Sequence, residues 1–451
     1  MRAHPPALPP LQHAKLPASS PAPREADSLA ALHLHYSMVM FSFDFQGLLK
    51  ILRLADFPDR FRIVAMVSLA GFLCVLPLRA LSQAKPPSTN FSRLSKQANE
   101  ARDADRLEEA AALYTRALSL QPKWVEGWWS LGTIEYDRDH YAKAALDFEK
   151  VITLDSSNGT AHAMLGLCQF ELGKDEPALR NLLAAERLGV TKDVRLRNVA
   201  LYHMGILQLR AKKFGDAKET LGHLAVDGVR TKDLTIGLGL AALLLTPRES
   251  PPEGTPGANV VERAGEAEVL LDSNEFDQAR QKYARLTSEF ADYPNLHFAF
   301  GRLLLETHDT DEALAEFQRE LQRDPKNVNS ILEIAAVLRM TDPQGALNYA
   351  IQAAQLAPHL PFAHYLLGLL RFDTGDPAAA IPELEISQKA FPQEAEVYFS
   401  LGNAYGRVGR KADAAKARAE FARLKAEAAK QPGPNIYGVQ VRTLGKENPN
   451  Q

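Results

Sequence analysis

Side chains able to act as ligands, bases or nucleophiles are sparse in this 451-residue chain, which carries 12 histidines and two cysteines. His33-Leu34-His35 sets two imidazoles one residue apart, a weak metal-binding spacing that reads as incidental in its proline-rich surroundings. Asp137-Arg138-Asp139-His140 gathers two carboxylates and an imidazole, but at a helix–helix turn acidic residues favour backbone capping over catalysis. Cys168 has no basic neighbour close in sequence to stabilise a thiolate, so it reads as a small core residue. Two cysteines, Cys74 and Cys168, exclude a disulfide framework and a four-cysteine zinc site. The sequence holds no glycine-rich phosphate loop, no His-Glu-x-x-His pair and no Gly-x-Ser-x-Gly elbow. No catalytic, cofactor-binding or metal residue is assigned, no cofactor is expected, and the chain reads as a non-enzyme.

Composition bounds the partners. Hydrophobic residues make up 46% and charged residues 24%, so most of the chain can fold. A net charge of −3 with pI near 6.5 argues against a nucleic-acid binder that relies on bulk positive charge. The first sixty residues differ from the rest. Pro5, Pro6, Pro9, Pro10, Pro17, Pro21 and Pro23 exclude a packed helix there, so residues 1–60 read as a disordered or mis-annotated leader. Arg60 and Arg62 then precede an apolar run from Ile63 to Leu78, followed by Ser82-Gln83-Ala84. That is the order of a signal peptide over residues 61–84, cleaved after Ala84. An uncleaved membrane anchor and a buried helix are the alternatives, the run being short of the roughly 20 residues that span a bilayer. Sixty residues ahead of such a segment is unusual, and Met38, Met40 and Met66 are alternative starts. Leu73 stands before Cys74 where a lipoprotein signal has a small residue, which argues against lipidation.

Along the remainder of the chain, small residues recur at Ala98, Gly132, Gly166, Gly205, Gly239, Ala267, Gly301, Ala335, Gly368 and Gly402, mostly 34 apart. A second small residue follows twelve later in nearly every case, as in Gly166/Ala178 and Gly368/Ala380, and eleven later in Ala335/Ala346. This spacing predicts two helices per repeat whose axes approach closely at the small positions. Gly173 and Gly375 suit a left-handed helix end, Asp175 and Asp376 a cap for the next helix. Pro122, Pro325, Pro358 and Pro392 end second helices.

These residues resemble the tetratricopeptide repeat family: Trp128, Leu131-Gly132, Tyr136, Ala144 and Phe148 in one repeat, Tyr398, Leu401-Gly402, Tyr405 and Ala414 in another, and Phe300-Gly301, Ala313, Phe317 and Pro325 in a third. About nine repeats cover residues 91–428. The resemblance implies an all-α, right-handed α-solenoid with a concave groove lined by the first helix of each repeat. It also implies which positions face that groove: 2, 5, 9 and 12, counting the first small residue as 8. Candidate groove residues are Trp129, Tyr136, Phe170, Tyr202, Phe362, Tyr365 and Phe372, with packing between first helices as the competing role. Arg302 and Arg339, on adjacent repeats, could hold a partner carboxylate or simply be solvated. Position 5 is never lysine, so the family's carboxylate clamp is absent. His162, His297 and His364 all fall at position 4, where packing explains them.

One irregularity stands out. Between Gly205 and Ala267 a single first helix, near 232–245, is followed by Pro247, Pro251, Pro252 and Pro256 in place of its partner. The expected organisation is therefore an N-terminal block at 91–246, a proline-rich linker at 247–259 serving as hinge or flap, and a C-terminal block at 260–430 with a polar capping helix. Residues 431–451 read as a flexible tail. The resulting expectation is an exported protein–protein interaction scaffold, periplasmic or secreted, that takes a protein or peptide partner and no nucleic acid. Membrane contact arises only if residues 63–78 persist as an inner-membrane anchor, giving an envelope assembly factor. A groove used by an enzyme or small-ligand carrier is the outside alternative.

Overall fold

The twelve-residue spacing of paired small residues resolves into two helices and a turn. The computed structural model describes residues 89–190 and 193–430. Among them lie nineteen α-helices and no strand, an all-α repeat fold. The expected leader, signal segment and tail lie outside the described residues. By contact density the chain forms two compact units, 1–140 and 141–451.

The described part of the first unit contains α1 (Thr89–Asp103), α2 (Leu107–Leu120) and α3 (Val125–Asp137). Ala98 and Ala110 are fully buried, and Tyr114 closes the core beside Leu118, Leu131 and Ile134. Trp124 meets Phe91 edge-on at 5.2 Å and lies 5.8 Å from Tyr114.

In the second unit, α4 (Tyr141–Leu154) precedes a series of helix pairs: α5 (Gly159–Glu171) with α6 (Asp175–Leu188), and α7 (Val194–Arg210) with α8 (Phe214–Val226). After α9 (Lys232–Ala242) come α10 (Pro256–Asp272) with α11 (Phe276–Glu289), and α12 (Leu296–Glu306) with α13 (Thr310–Arg323). The series closes with α14 (Val328–Leu338) and α15 (Pro343–Leu356), α16 (Pro361–Asp373) and α17 (Pro377–Ala390), and α18 (Ala395–Arg407) and α19 (Lys411–Lys430).

In four repeats the first small residue has a partner that explains it. A Cβ on Gly166, Gly205, Gly301 or Gly368 would lie 2.5–2.8 Å from Leu182, Leu221, Phe317 or Leu384, the residue sixteen later on the second helix. Glycine is therefore the seat for a large side chain from the opposite helix. The turn is equally regular. Seven residues after the small position the backbone is left-handed at Asp105, Asp139, Gly173, Lys212, Asn274, His308, Gly375 and Gly409. Lys174 N–H then donates to the Gln169 carbonyl and Gly173 N–H to that of Phe170, a Schellman closure that satisfies the helix end. The Ala335 repeat, one residue shorter to its second small position, lacks this left-handed residue. Asp376 caps α17 by accepting from Ala379 N–H at 2.9 Å. Asp175 does not play the capping role expected of it: it is the first residue of α6 and pairs with Arg210.

The proline-rich stretch lies within the second unit. Pro256 starts a helix instead of excluding one, because its missing N–H falls in the first turn and Thr255 caps it by accepting from Ala258 N–H. That leaves α9 as an odd helix with no short-turn partner, and it packs on α10 directly. The two backbones nearly touch: a Cβ on Gly265 would sit 1.8 Å from the Thr235 carbonyl oxygen, and one on Gly239 2.0 Å from that of Val261. A single apolar core runs from Ile206 through Leu240, Val261 and Phe300 to Ile334, on both sides of the stretch. The boundary between the two compact units falls at His140/Tyr141.

Candidate functional site

The candidate groove residues occupy first helices, and burial separates them. In the first unit, Trp129 and Tyr136 are half-buried on α3. In the second, Phe170 on α5 and Tyr202 on α7 both meet the His203 ring, at 4.5 and 5.6 Å. Arg210 lies over the Phe170 ring at 4.6 Å while its guanidinium bonds Asp175 at 2.9 Å. Burial pushes the His203 imidazole below its ordinary range, outweighing the bond its Nδ1–H donates to the Val199 carbonyl, which favours the charged form.

On α16 the three aromatics do not share one environment. Tyr365 is only 7% exposed, within a core of Leu369, Leu384, Val397 and Leu401. Phe362 and Phe372 are half-buried and pack against that core from outside, Phe362 lying 6.4 Å from the Tyr365 ring. Phe399 holds the same repeat position as Tyr365, so the register that picked out Tyr365 could have picked it out as well. On α18 it is 49% exposed and rests on Phe421 of the last helix at 5.4 Å.

Arg302 and Arg339 are not solvated and are not brought together. Arg302 on α12 bonds Glu333 on α14 at 2.9 Å, with Glu306 at 3.9 Å, and Arg339 at the end of α14 bonds Asp373 on α16 at 2.5 Å. Each arginine is a rung joining one first helix to the next, its charge met from within the protein. At these two positions the first-helix layer therefore presents paired guanidinium groups.

The three position-4 histidines also have partners. Each Nδ1 meets a residue nineteen positions later on the second helix: Asn181 at 2.9 Å from His162, Glu316 at 2.5 Å from His297, Glu383 at 2.6 Å from His364. These bonds tie the two helices of a repeat together. Burial disfavours charge on His364, yet its bonds to Glu383 and to the Pro358 carbonyl outweigh that and raise its pKa. His140 likewise bonds Glu135 at 2.6 Å, and Asp139 is the left-handed turn residue, so that acidic cluster is turn structure. Cys168 is fully buried, and burial pushes its thiol up to about 12, which leaves no thiolate nucleophile at neutral pH. Among the described residues no group of three His, Cys, Asp or Glu side chains is placed to hold a metal ion.

The sequence reading missed a buried ionic cluster. Lys218 Nζ on α8 lies 2.8 Å from Glu268 on α10 and 2.8 Å from Glu306 on α12. The other oxygen of Glu268 accepts from Tyr283 O–H on α11 at 2.6 Å. Opposite charges overcome desolvation here, raising the pKa of Lys218 and lowering that of Glu306. Residues 88 positions apart carry no local signal. One half could have been found: a tyrosine sixteen after the small residue facing a polar side chain one after it recurs in Tyr114–Asn99, also 2.6 Å. A cleft of about 660 Å³ lies elsewhere, between α11 and α13 over His297 and Phe300.

Comparison with known proteins places the repeats. A family model described as tetratricopeptide repeat matches residues 95–159, 265–328, 336–395 and 365–432, together about half of the chain. Among solved structures, one titled "Crystal structure of MamA" is 20% identical, with a TM-score of 0.34 over 36% of this chain and 96% of that one. "MamA RS-1 ArsTM double mutant" is 19% identical, at 0.35 over 37% and 96%. "MamA 41-end from Desulfovibrio magneticus RS-1" is 20% identical, at 0.33 over 38% and 96%. No curated protein matches.

Proposed function

This chain belongs to the tetratricopeptide repeat family, and we propose that it is a non-catalytic interaction scaffold, exported, whose first-helix groove holds an apolar segment of a partner protein. Phe399 carries the reading. A large aromatic at a groove position is left 49% exposed on α18, whereas its counterpart Tyr365 is buried. Aromatic side chains presented this way supply a large part of binding energy at interfaces. Because Arg302 and Arg339 are already paired with Glu333 and Asp373, recognition rests on apolar contact and not on a partner carboxylate. A photo-crosslinking amino acid at position 399, in the full chain expressed in its own host, is expected to capture a discrete partner. Adding Phe372→Ser is expected to lower the yield more than tenfold, since a hot-spot aromatic contributes over 2 kcal/mol, with the helical circular dichroism unchanged. An unchanged yield overturns the groove reading.

Export rests on the segment Arg60–Ala84 in the sequence, outside the described residues. No described helix is long and apolar enough to cross a membrane. The second reading, a membrane-anchored assembly factor, keeps Ile63–Leu78 in the mature protein. Intact mass and N-terminal sequencing after fractionation separate the two. A start at Lys85 in the soluble envelope fraction is expected; a retained leader in the membrane fraction makes the anchored factor the better account.

A further inference from the structure

Asp272 ends α10 where that helix meets α8. Its carboxylate lies against Gly222 of α8, so closely that a Cβ there would come within 2.8 Å of Oδ2, and that oxygen is buried without a hydrogen-bond partner. Leaving an ionised oxygen in this state is costly. The groups around it come from several elements. Lys218 faces it from α8, Glu268 from its own helix, Glu306 from α12, and Arg230 from the turn before α9. Arg230 itself donates to Ser273 Oγ at 2.7 Å and to the Ala225 carbonyl at 2.6 Å, which turns it toward the neighbouring residue instead of Asp272. Tyr283 on α11 engages Glu268, and Arg302 on α12 is bound to Glu333. The charged residues of α9, Lys232 and Asp233, sit in its first turn, and Lys232 pairs with Glu253. Lys218 is thus already shared by two carboxylates before Asp272 ionises.

We propose that Asp272 is a proton-operated latch between α8 and α10: neutral, it lets the two helices lie in contact at Gly222, and ionised, it places a further carboxylate beside Glu268 and Glu306 and loosens that seam. Burial pushes the Asp272 carboxyl up to about 7, against an ordinary value near 4, so the change falls in the physiological range. The sign follows from the folded value being the higher one. Stability from this group is fully present below the unfolded value, declines as pH rises from about 4 to about 7, and is flat above that. The seam joins the repeats before the odd helix α9 to those after it, so the latch acts where it can alter the course of the groove.

The test is hydrogen exchange on the full chain at pH 5.5 and 8.5, corrected for intrinsic rates. In the wild type, opening of amides in α8 and the last turns of α10 is expected to rise about thirtyfold between the two pH values, while amides of α18 serve as the internal reference. In Asp272→Asn, which holds the neutral shape, the rise is expected to vanish. A pH-independent seam in the wild type, or an equal rise in the variant, overturns the proposal. Should Asp272→Asn fail to fold, the carbon chemical shift of the Asp272 carboxyl in the wild type decides: a midpoint near 7 supports the latch and one near 4 overturns it.

Discussion

Gly265→Ala is expected to be among the most damaging single-methyl additions possible in this chain, destabilising the α9–α10 pair by about 3–5 kcal/mol. The added carbon would meet the Thr235 carbonyl oxygen at 1.8 Å, and backbone cannot rotate away as a side chain can. Relief requires α10 to move off α9, which separates the apolar core that Leu238, Leu240, Val261 and Ala264 share. Gly215→Ala is the matched control. Gly215 lies in α8, and a Cβ added there would have nothing within 4 Å, so alanine is expected to stabilise by about 0.5–1 kcal/mol through helix propensity alone. Urea unfolding followed by circular dichroism, together with limited proteolysis within residues 243–255, measures both. Equal behaviour of the two variants would mean that α9 and α10 do not cross as described.

The repeat architecture was legible in the sequence because its cause is local. Two helices of fixed length, a turn of fixed length and a small residue on each helix repeat at 34 whatever the surroundings, and prolines two residues past Leu120, Arg323, Leu356 and Ala390 mark the ends. What sat opposite the small residue was not read, although Leu182, Leu221, Phe317 and Leu384 lie at a constant sixteen. The left-handed turn position was read at Gly173 and Gly375, but not at Gly409 or where aspartate, lysine, asparagine or histidine stands in its place. The groove residues were legible as positions but not as surfaces. Tyr365 and Phe399 occupy equivalent places and differ in exposure: Tyr365 is covered by the following repeat, with Val397 and Leu401, whereas Phe399 rests on Phe421 of α19. Arg302 and Arg339 were expected to face a partner or solvent; their carboxylates are 31 and 34 residues away, one repeat on.

Lys218→Met tests the remaining non-local feature and with it the organisation of the chain. The substitution leaves Glu268, 1% exposed, and Glu306 without their shared cation, and removing one partner of a buried pair is expected to cost about 3–5 kcal/mol. Glu268→Gln alone keeps the side chain's shape and can still accept from Tyr283, so it is expected to cost less. In the double variant the two losses are expected to be far from additive, with a coupling energy above about 1.5 kcal/mol, read from urea midpoints at fixed pH. Lys218 precedes the proline-rich stretch, and Glu268 and Glu306 follow it. A hinge at 247–259 would let the two sides move independently and drive the coupling toward zero. The shared core from Ile206 to Ile334 and the α9–α10 crossing argue for strong coupling, with the proline residues serving to start α10 and to leave α9 single. The size of one coupling energy therefore decides whether a partner in the groove meets two jointed blocks or one continuous surface through this region.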